Sequence, residues 1–479
     1  MTPSSQSMFD LVIRNGLVVT ASDQSHCDIG ITDGRIVALG ESLGGGVKEI
    51  DAAGKVITPG GVDAHCHMDQ PMPDGMKMAD NFETGTRSAA CGGTTTVIPF
   101  AAQEKGQSLR EAVEEYHRRA EGNAHIDYAF HMIVTDPTEK VLTEELPQLI
   151  REGCSSFKIY MTYDDLKLND GQILDVLSVA RAEGALAMIH AENSDCISWL
   201  TKRLLAAGNT EPRFHADSRP MLVEREAAHR VIALSELVDV PILIVHVSGA
   251  EAVEQIRWAR GHGLKIYAET CPQYLFLTAE DLGIDGYEGA KCVCSPPPRN
   301  KANQQVIWDG LDDGLFSVFS SDHAPFRYDD AEGLGKKPGG KEVDFNYIPN
   351  GIPGLETRMP LLFSEGVGKG RININQFVEL TATNPAKLYG MYPKKGCLAV
   401  GSDADIVIWD SERELTITND LLHHDVDYTP YEGMNIKGWP AVTLSRGEVV
   451  WGDGELKSVP GRGQFLVCDR PDAAKPKVR

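Results

Sequence analysis

From residue 9 to about 57, apolar and polar residues alternate in short runs. Phe9-Asp-Leu-Val-Ile-Arg-Asn-Gly-Leu-Val-Val-Thr is rich in β-branched residues and is broken by Asn15-Gly16, a hairpin signal. Cys27-Asp-Ile-Gly-Ile-Thr-Asp33-Gly34-Arg-Ile-Val-Ala-Leu repeats the device around Asp33-Gly34. The pattern predicts a small all-β unit of short antiparallel strands, too small to bury much core alone. Matching runs return near the other end, Ala404-Asp-Ile-Val-Ile-Trp-Asp and Ala441-Val-Thr-Leu-Ser-Arg-Gly447-Glu-Val-Val-Trp. The two ends are expected to combine into one β-sandwich, with the long middle inserted between them.

The middle alternates strand and helix patterns, which is how a parallel sheet reads in sequence. Strand candidates end at His67, Pro99, Val134, Tyr163, Ala191, Val247, Glu269 and Asp322. Helical spacing separates them, for example over 108–119, 171–183, 224–237 and 250–262. Eight strands with intervening helices predict an α/β chain built on a (β/α)8 TIM barrel. The span exceeds the ~250 residues usual for that fold, so long loops are expected over 193–220 and 327–349. The division that follows is 1–57 and 395–455 for the sandwich, 58–394 for the barrel, and 456–479 for a C-terminal tail.

Charge narrows the partners. Lys and Arg total 46 against 69 Asp and Glu, a net −23 with a pI near 5.0, which repels polyanions. Nucleic acid and anionic membrane are excluded as partners on that ground. No run approaches the ~20 apolar residues that span a bilayer, and Met1-Thr-Pro-Ser-Ser-Gln-Ser lacks the basic and apolar regions of a signal peptide. The ten cysteines are scattered without a CxxC, and Cys91, Cys154 and Cys196 lie in or beside apolar stretches. Reduced, buried thiols of a cytoplasmic protein fit that usage. Cys292-Val-Cys294 has no second pair and reads as structural.

The chemistry gathers at strand ends. Thr58-Pro-Gly-Gly-Val-Asp-Ala-His65-Cys66-His67 closes the first strand, and residues i and i+2 of a strand share a face, so both histidines can reach one metal ion. Alone, such a pair is more often structural than a ligand set. Here Lys158 lies in the fourth strand, His190 closes the fifth, His246 the sixth and Asp322 the eighth, all near the rim where barrels place active sites. Lys158, in Ser155-Ser-Phe-Lys158-Ile-Tyr-Met-Thr-Tyr163, would be a costly buried cation, and burial beside metal ions would depress its pKa. A neutral amine can take up CO2, giving a carbamate that bridges two metals as a carboxylate does.

On these residues the chain resembles the cyclic amidohydrolases, in particular the dihydropyrimidinase and hydantoinase branch. The resemblance spans nearly the whole chain. It rests on His65-Cys-His67, Asn81-Phe-Glu-Thr-Gly, Gly92-Gly-Thr-Thr-Thr, Phe157-Lys158 with Tyr163, His190-Ala-Glu-Asn, and His246-Val-Ser. It continues through Glu269-Thr-Cys-Pro-Gln-Tyr, Ser295-Pro-Pro-Pro-Arg299, Ser321-Asp322-His-Ala-Pro and Asn350-Gly-Ile-Pro-Gly. Gln273 looks more like this branch than like the allantoinases, where His is common. The resemblance implies two divalent ions, zinc as the usual one: the first on His65, His67, carboxylated Lys158 and Asp322, the second on Lys158, His190 and His246. It further implies that Tyr163 donates to the developing oxyanion and that Ser295 and Asn350 hold the ring amides, largely through main-chain groups.

The implied reaction is attack of activated water on a ring carbonyl, with Asp322 passing the proton to the leaving nitrogen and an N-carbamoyl amino acid as product. The substrate would be a small cyclic amide, a 5,6-dihydropyrimidine or a 5-substituted hydantoin. The Met-rich loop 68–78 departs from the commonest form of the family and is expected to accept apolar ring substituents, thioethers being adaptable. An allantoinase, dihydroorotase or other imidase on the same fold is the alternative, and a scaffold homologue without catalysis is a remote one. Relatives are commonly tetramers. The segments His424-Asp-Val-Asp-Tyr-Thr-Pro-Tyr-Glu-Gly-Met and Gly461-Arg-Gly-Gln-Phe-Leu resemble theirs, so a homo-oligomer, a tetramer, is expected, with the tail as a subunit contact.

Overall fold

Short runs of β-branched and apolar residues, each followed by an amphipathic helix, can have both faces covered and therefore form a parallel sheet. The computed structural model describes residues 8–72, 77–330 and 335–476. Its barrel strands are β1 (Gly61–Cys66), β2 (Thr94–Ala102), β3 in two pieces (Asp127–Tyr128 and His131–Ile133), β4 (Ser156–Tyr160), β5 (Leu186–His190), β6 (Ile242–Ile244), β7 (Ile266–Thr270) and β8 (Val318–Phe319). Strands adjacent in sequence are adjacent in the sheet, and all pair in parallel. The ring closes just beyond β8, where Cys66 bridges His323 and the Ser321 amide donates to Asp63 Oδ1 at 3.2 Å. Leu186 and Met188 pack in an inner cluster with Val62, Phe100 and Leu243, while Ala187 and Ile189 join the layer shared with the helices.

The predicted helices lie at Leu109–Ala120, Asp170–Glu183, Met221–Val238 and Ala250–Gly261. Asn169 and Gln172 form a capping box that starts the second of these, and left-handed Gly184 ends it. Two expectations about the barrel segment need correction. Residues 193–220 are not a loop but carry helices Ser194–Ala206 and Phe214–Ser218; in the first only Ile197 is buried, so no apolar stripe announces it. Several strands also stop short, leaving Tyr163, Val247 and Asp322 in the loops that leave the rim. The described residues of 327–349 form a loop as expected, with short 3-10 turns at Pro338–Gly340 and Phe345–Tyr347.

The chain ends build two sheets. Phe9–Arg14 lies in a four-stranded sheet between Asp28–Thr32 and Gly46–Asp51, and Leu17–Val19 lies in a seven-stranded sheet beside Val56–Pro59. Val56–Pro59 pairs antiparallel with Ile406–Thr416, so both ends share that sheet. Asp33-Gly34 turns a hairpin as predicted. Asn15-Gly16 does not: the strands on either side of it enter different sheets, and a Cβ at Gly16 would collide with the Ile57 side chain. The ladders are mixed too, since Phe9–Arg14 with Gly46–Asp51 and Leu17–Val19 with Val56–Pro59 are parallel. The C-terminal segment packs on its own barrel. The Tyr128 amide donates to Gln464 O (3.0 Å), Leu466 N donates to Tyr128 O (2.7 Å), and the Phe465 ring lies 5.4 Å from that of Phe130. All ten cysteines are unpaired, and Cys196, expected to be buried, is exposed. No helix among the described residues is long and apolar enough to cross a membrane.

Candidate active site

The C-terminal ends of the strands open on one rim. β1 brings His65, with His67 one residue past its end; β4 brings Lys158 and β5 ends in His190. His246 and Asp322 follow β6 and β8, and Tyr163 follows β4. These last three take left-handed backbone angles, φ 39°, 49° and 67°. Such angles are unfavourable for residues with a Cβ and persist where the surroundings hold them. Each turns the chain sharply out of its strand and aims its side chain across the barrel mouth.

Three ligand-type side chains converge. The ligand atoms of His65, His67 and Asp322 lie within 4.8 Å of one another, with Asp322 Oδ1 3.1 Å from His65 Nε2 and 3.8 Å from His67 Nε2. Both rings are oriented from behind. His65 Nδ1–H donates to Glu269 Oε1 (2.6 Å) and His67 Nδ1–H to Gln70 Oε1 (2.6 Å), which leaves each Nε2 lone pair facing the centre. Lys158 Nζ donates to His65 Nε2 at 2.8 Å and sits 4.4 and 4.8 Å from the ring centroids of Phe100 and Tyr160. His190 and His246 form an adjoining pair outside that three-residue group, with His190 Nδ1 2.9 Å from His246 Nε2. Glu192 Oε2 holds the far side of His190 (2.7 Å) and is held by Arg219 (2.8 Å).

Burial governs the field. It pushes the Lys158 amine down to about 8, against the opposing pull of Asp322 and Glu269. Burial also lowers His67, His190 and His246, which Lys158 pushes further the same way. Asp322 is held below the usual carboxylate range because His65, Lys158 and His67 outweigh its burial. Burial lowers His65 too, but Glu269 and Asp322 outweigh it and raise that imidazole. The site thus offers neutral imidazoles at His67, His190 and His246, an ionised carboxylate and an amine with an appreciable neutral fraction at neutral pH. His246 Nδ1 and Gln273 Oε1 are buried without a hydrogen-bond partner.

Beside this cluster stand Tyr163, Ser295 and Asn350. Asn350 Nδ2 donates to the Tyr163 hydroxyl at 3.4 Å, and Ser295 also reaches that hydroxyl. Burial raises the Tyr163 pKa, with Arg219, 5.4 Å from the ring centroid, opposing it. The Met-rich loop is less uniform than expected. Met68 is fully buried in the apolar layer with Phe82, away from the mouth; Met72 and Met78 are half-buried, and residues 73–76 lie outside the described residues.

Sequence reasoning passed over Glu269, Gln70, Glu192 and Arg219 as site residues. Glu269 had a readable signal, an acid closing an apolar strand, and it also accepts the His246 amide (3.1 Å) and the Ser320 hydroxyl (3.1 Å). A second ligand-type group, Cys91, Glu356 and His423, lies at the opposite end, since Cys91 just precedes the start of β2. There Glu356 is already occupied by the His423 amide (2.7 Å), His423 Nδ1 (2.9 Å) and Ser88 Oγ (3.3 Å).

Comparison with known proteins gives the family and the overall fold. Residues 56–450 match the profile of the amidohydrolase family. The chain is 45% identical to a D-hydantoinase of Ralstonia pickettii, covering 95% of this chain and 98% of that one, and 46% identical to a D-hydantoinase of Geobacillus stearothermophilus, covering 95% and 96%. The crystal structure of a dihydropyrimidinase from Brevibacillus agri NCHU1002 superposes with a TM-score of 0.93 at 45% identity, over 97% of this chain and 99% of that one.

Proposed function

Because the chain belongs to the amidohydrolase family and, within it, to the branch of hydantoinases and dihydropyrimidinases, we propose that it opens 5,6-dihydropyrimidines and 5-monosubstituted hydantoins to N-carbamoyl amino acids. It is an enzyme that hydrolyses the C–N bond of cyclic amides. One observation carries the site assignment: the Lys158 amine is 1% exposed, has its pKa lowered by burial, and sits against His65 with no ion-pair partner among the described residues. A carbamate there gives the site the bridging anion it otherwise lacks. The donor set then fits two divalent ions, proposed as Zn2+. His65, His67, carboxylated Lys158 and Asp322 would hold one, and Lys158, His190 and His246 the other. When bound, such ions polarise the ring carbonyl and bring the pKa of water towards neutrality.

The remaining steps belong to the chain's own groups. Main-chain atoms at Ser295 and Asn350 hold the ring amide edge. The Tyr163 hydroxyl, kept protonated by its raised pKa, donates to the oxyanion as the carbonyl carbon becomes tetrahedral. Asp322, held ionised, takes a proton from the attacking water and delivers it to the ring nitrogen as the C–N bond breaks. The D-prefixed names of the relatives support the D enantiomer of substituted hydantoins. We assign the catalytic unit to 58–394 and the assembly to a cytoplasmic homotetramer with the tail 456–479 at a subunit contact. The test is a panel of dihydrouracil, dihydrothymine, 5-phenylhydantoin, allantoin and dihydroorotate on zinc-loaded protein. Turnover of the first three is expected; activity on allantoin or dihydroorotate far above them would assign the chain to another imidase.

A further inference from the structure

The segment leading from β8 to Asn350 buries a lysine that the chemistry above does not use. Lys336 is fully buried, and its Nζ donates to three main-chain carbonyls, Val293 (2.8 Å), Pro349 (2.6 Å) and Gly351 (2.6 Å). Three acceptors take all three protons of an ammonium. A neutral amine has only two, and its lone pair would face the third carbonyl, so the pocket is complementary to the cation. Around it stand the Cys292 and Cys294 thiols, both pushed up by burial and so uncharged, the His215 ring, and the Tyr287 hydroxyl, which donates to the Lys336 carbonyl at 3.1 Å. The Phe326 ring centroid is 5.8 Å from Nζ. No carboxylate pairs with it among the described residues. Burial consequently pushes the amine down to about 7.

A buried, unpaired cation is costly, and what it holds gives the reason for keeping it. Val293 stands two residues before Ser295, and Pro349 and Gly351 flank Asn350. The Gly351 amide donates to Val293 O at 3.0 Å, so one carbonyl is shared by the ammonium and by the pairing of the two segments. Gly351 has φ 144° and no space for a Cβ against Ala324, which leaves the backbone there no support from a side chain of its own. We propose that Lys336 is a positioning residue for the ring-binding edge, its ammonium locking the 293–295 and 349–351 segments in one register and so setting affinity for the planar amide of the substrate whatever the 5-substituent. The inference rests on Ser295 and Asn350 being the ring contacts.

Lys336→Met removes the charge at similar length. With metal content and melting temperature near those of the parent, KM should rise about 10- to 100-fold, the range a small misplacement produces. The rise should be alike for dihydrouracil and 5-phenylhydantoin, with kcat changing less. For dihydrouracil the parent's KM should also climb as pH rises and the ammonium is lost, a limb missing in the variant. An unchanged KM, or lower stability and kcat at constant KM, would reduce Lys336 to a loop staple. Should K336M not fold, amide hydrogen exchange on the parent with the product N-carbamoyl-β-alanine decides. Protection gained together at 293–295, 335–337 and 349–351 supports the proposal, and protection at 349–351 without 335–337 overturns it. A parent enzyme that opens neither ring would refute the function itself, before any variant is made.

Discussion

Tyr163 and Lys158 show how much of the site one residue carries. Tyr163 has its hydroxyl at the edge of the metal-type cluster and a left-handed backbone that puts it there. A donor that acts on the oxyanion stabilises the transition state alone, so Tyr163→Phe should lower kcat by about 10²-fold with a modest change in KM, a loss of about 3 kcal/mol; steady-state kinetics on dihydrouracil checks it. Lys158→Ala should lose activity and at least one metal equivalent, with partial rescue by small carboxylic acids, and full activity at normal metal content would remove the carbamate from the site. The positions that sequence spacing singled out do converge at one rim. Their orienting partners were harder to see: Glu269 reaches His65 from the end of another strand, 204 residues away, and Glu192, two residues after His190, is itself held by the distant Arg219, relations that leave no period in the chain. Left-handed angles at His246 and Asp322 are nearly as silent: His and Asp enter that region more readily than most residues, yet the great majority of them keep negative φ.

At the scale of elements, the loops after β1 and β8 are joined by Asp80 and His323. His323 Nε2–H donates to Asp80 Oδ2 at 3.0 Å, and the Asp425 amide donates to Oδ1 at 2.8 Å. Burial pushes Asp80 up, but His323, His424 and that amide outweigh it and hold the carboxyl at about 2, against 3.8 unperturbed. Between those values the unfolded chain binds the extra proton, so stability rises with pH through the window and is lost as pH falls through it. The contribution is about 2 kcal/mol above pH 4. Acid titration of melting temperature should show that loss in the parent and a shallower one in Asp80→Asn. The tail makes a second element-scale case. Truncation near residue 455 strips Phe465 from Phe130 and unpairs Tyr128, so the melting temperature should fall, and light scattering should report smaller species if the tail also meets a neighbouring subunit. Helix Ser194–Ala206 escaped the sequence for a related reason: it has one buried side chain, and an exposed helix carries no apolar stripe to read.

The whole molecule was legible where burial is two-sided. Continuous apolar strands between amphipathic helices have few other ways to be covered, and the eight-stranded barrel follows. The two terminal sheets were not resolved by pattern, because both use the same alternation and their partners lie far apart in the chain. Asn15-Gly16 looked like a hairpin for that reason, whereas the chain there passes from one sheet to the other. That shared sheet also has a temporal side. Val56–Pro59 needs Ile406–Thr416 as its antiparallel neighbour, and a ribosome adding 5–20 residues per second delivers that strand roughly 20 to 70 s after the first. Phe9–Arg14 finds all the partners of its sheet within residues 9–51, but Leu17–Val19 and Val56–Pro59 wait with an open edge while the barrel assembles beyond them, so of two neighbouring sheets one can close early and the other is among the last parts to be finished.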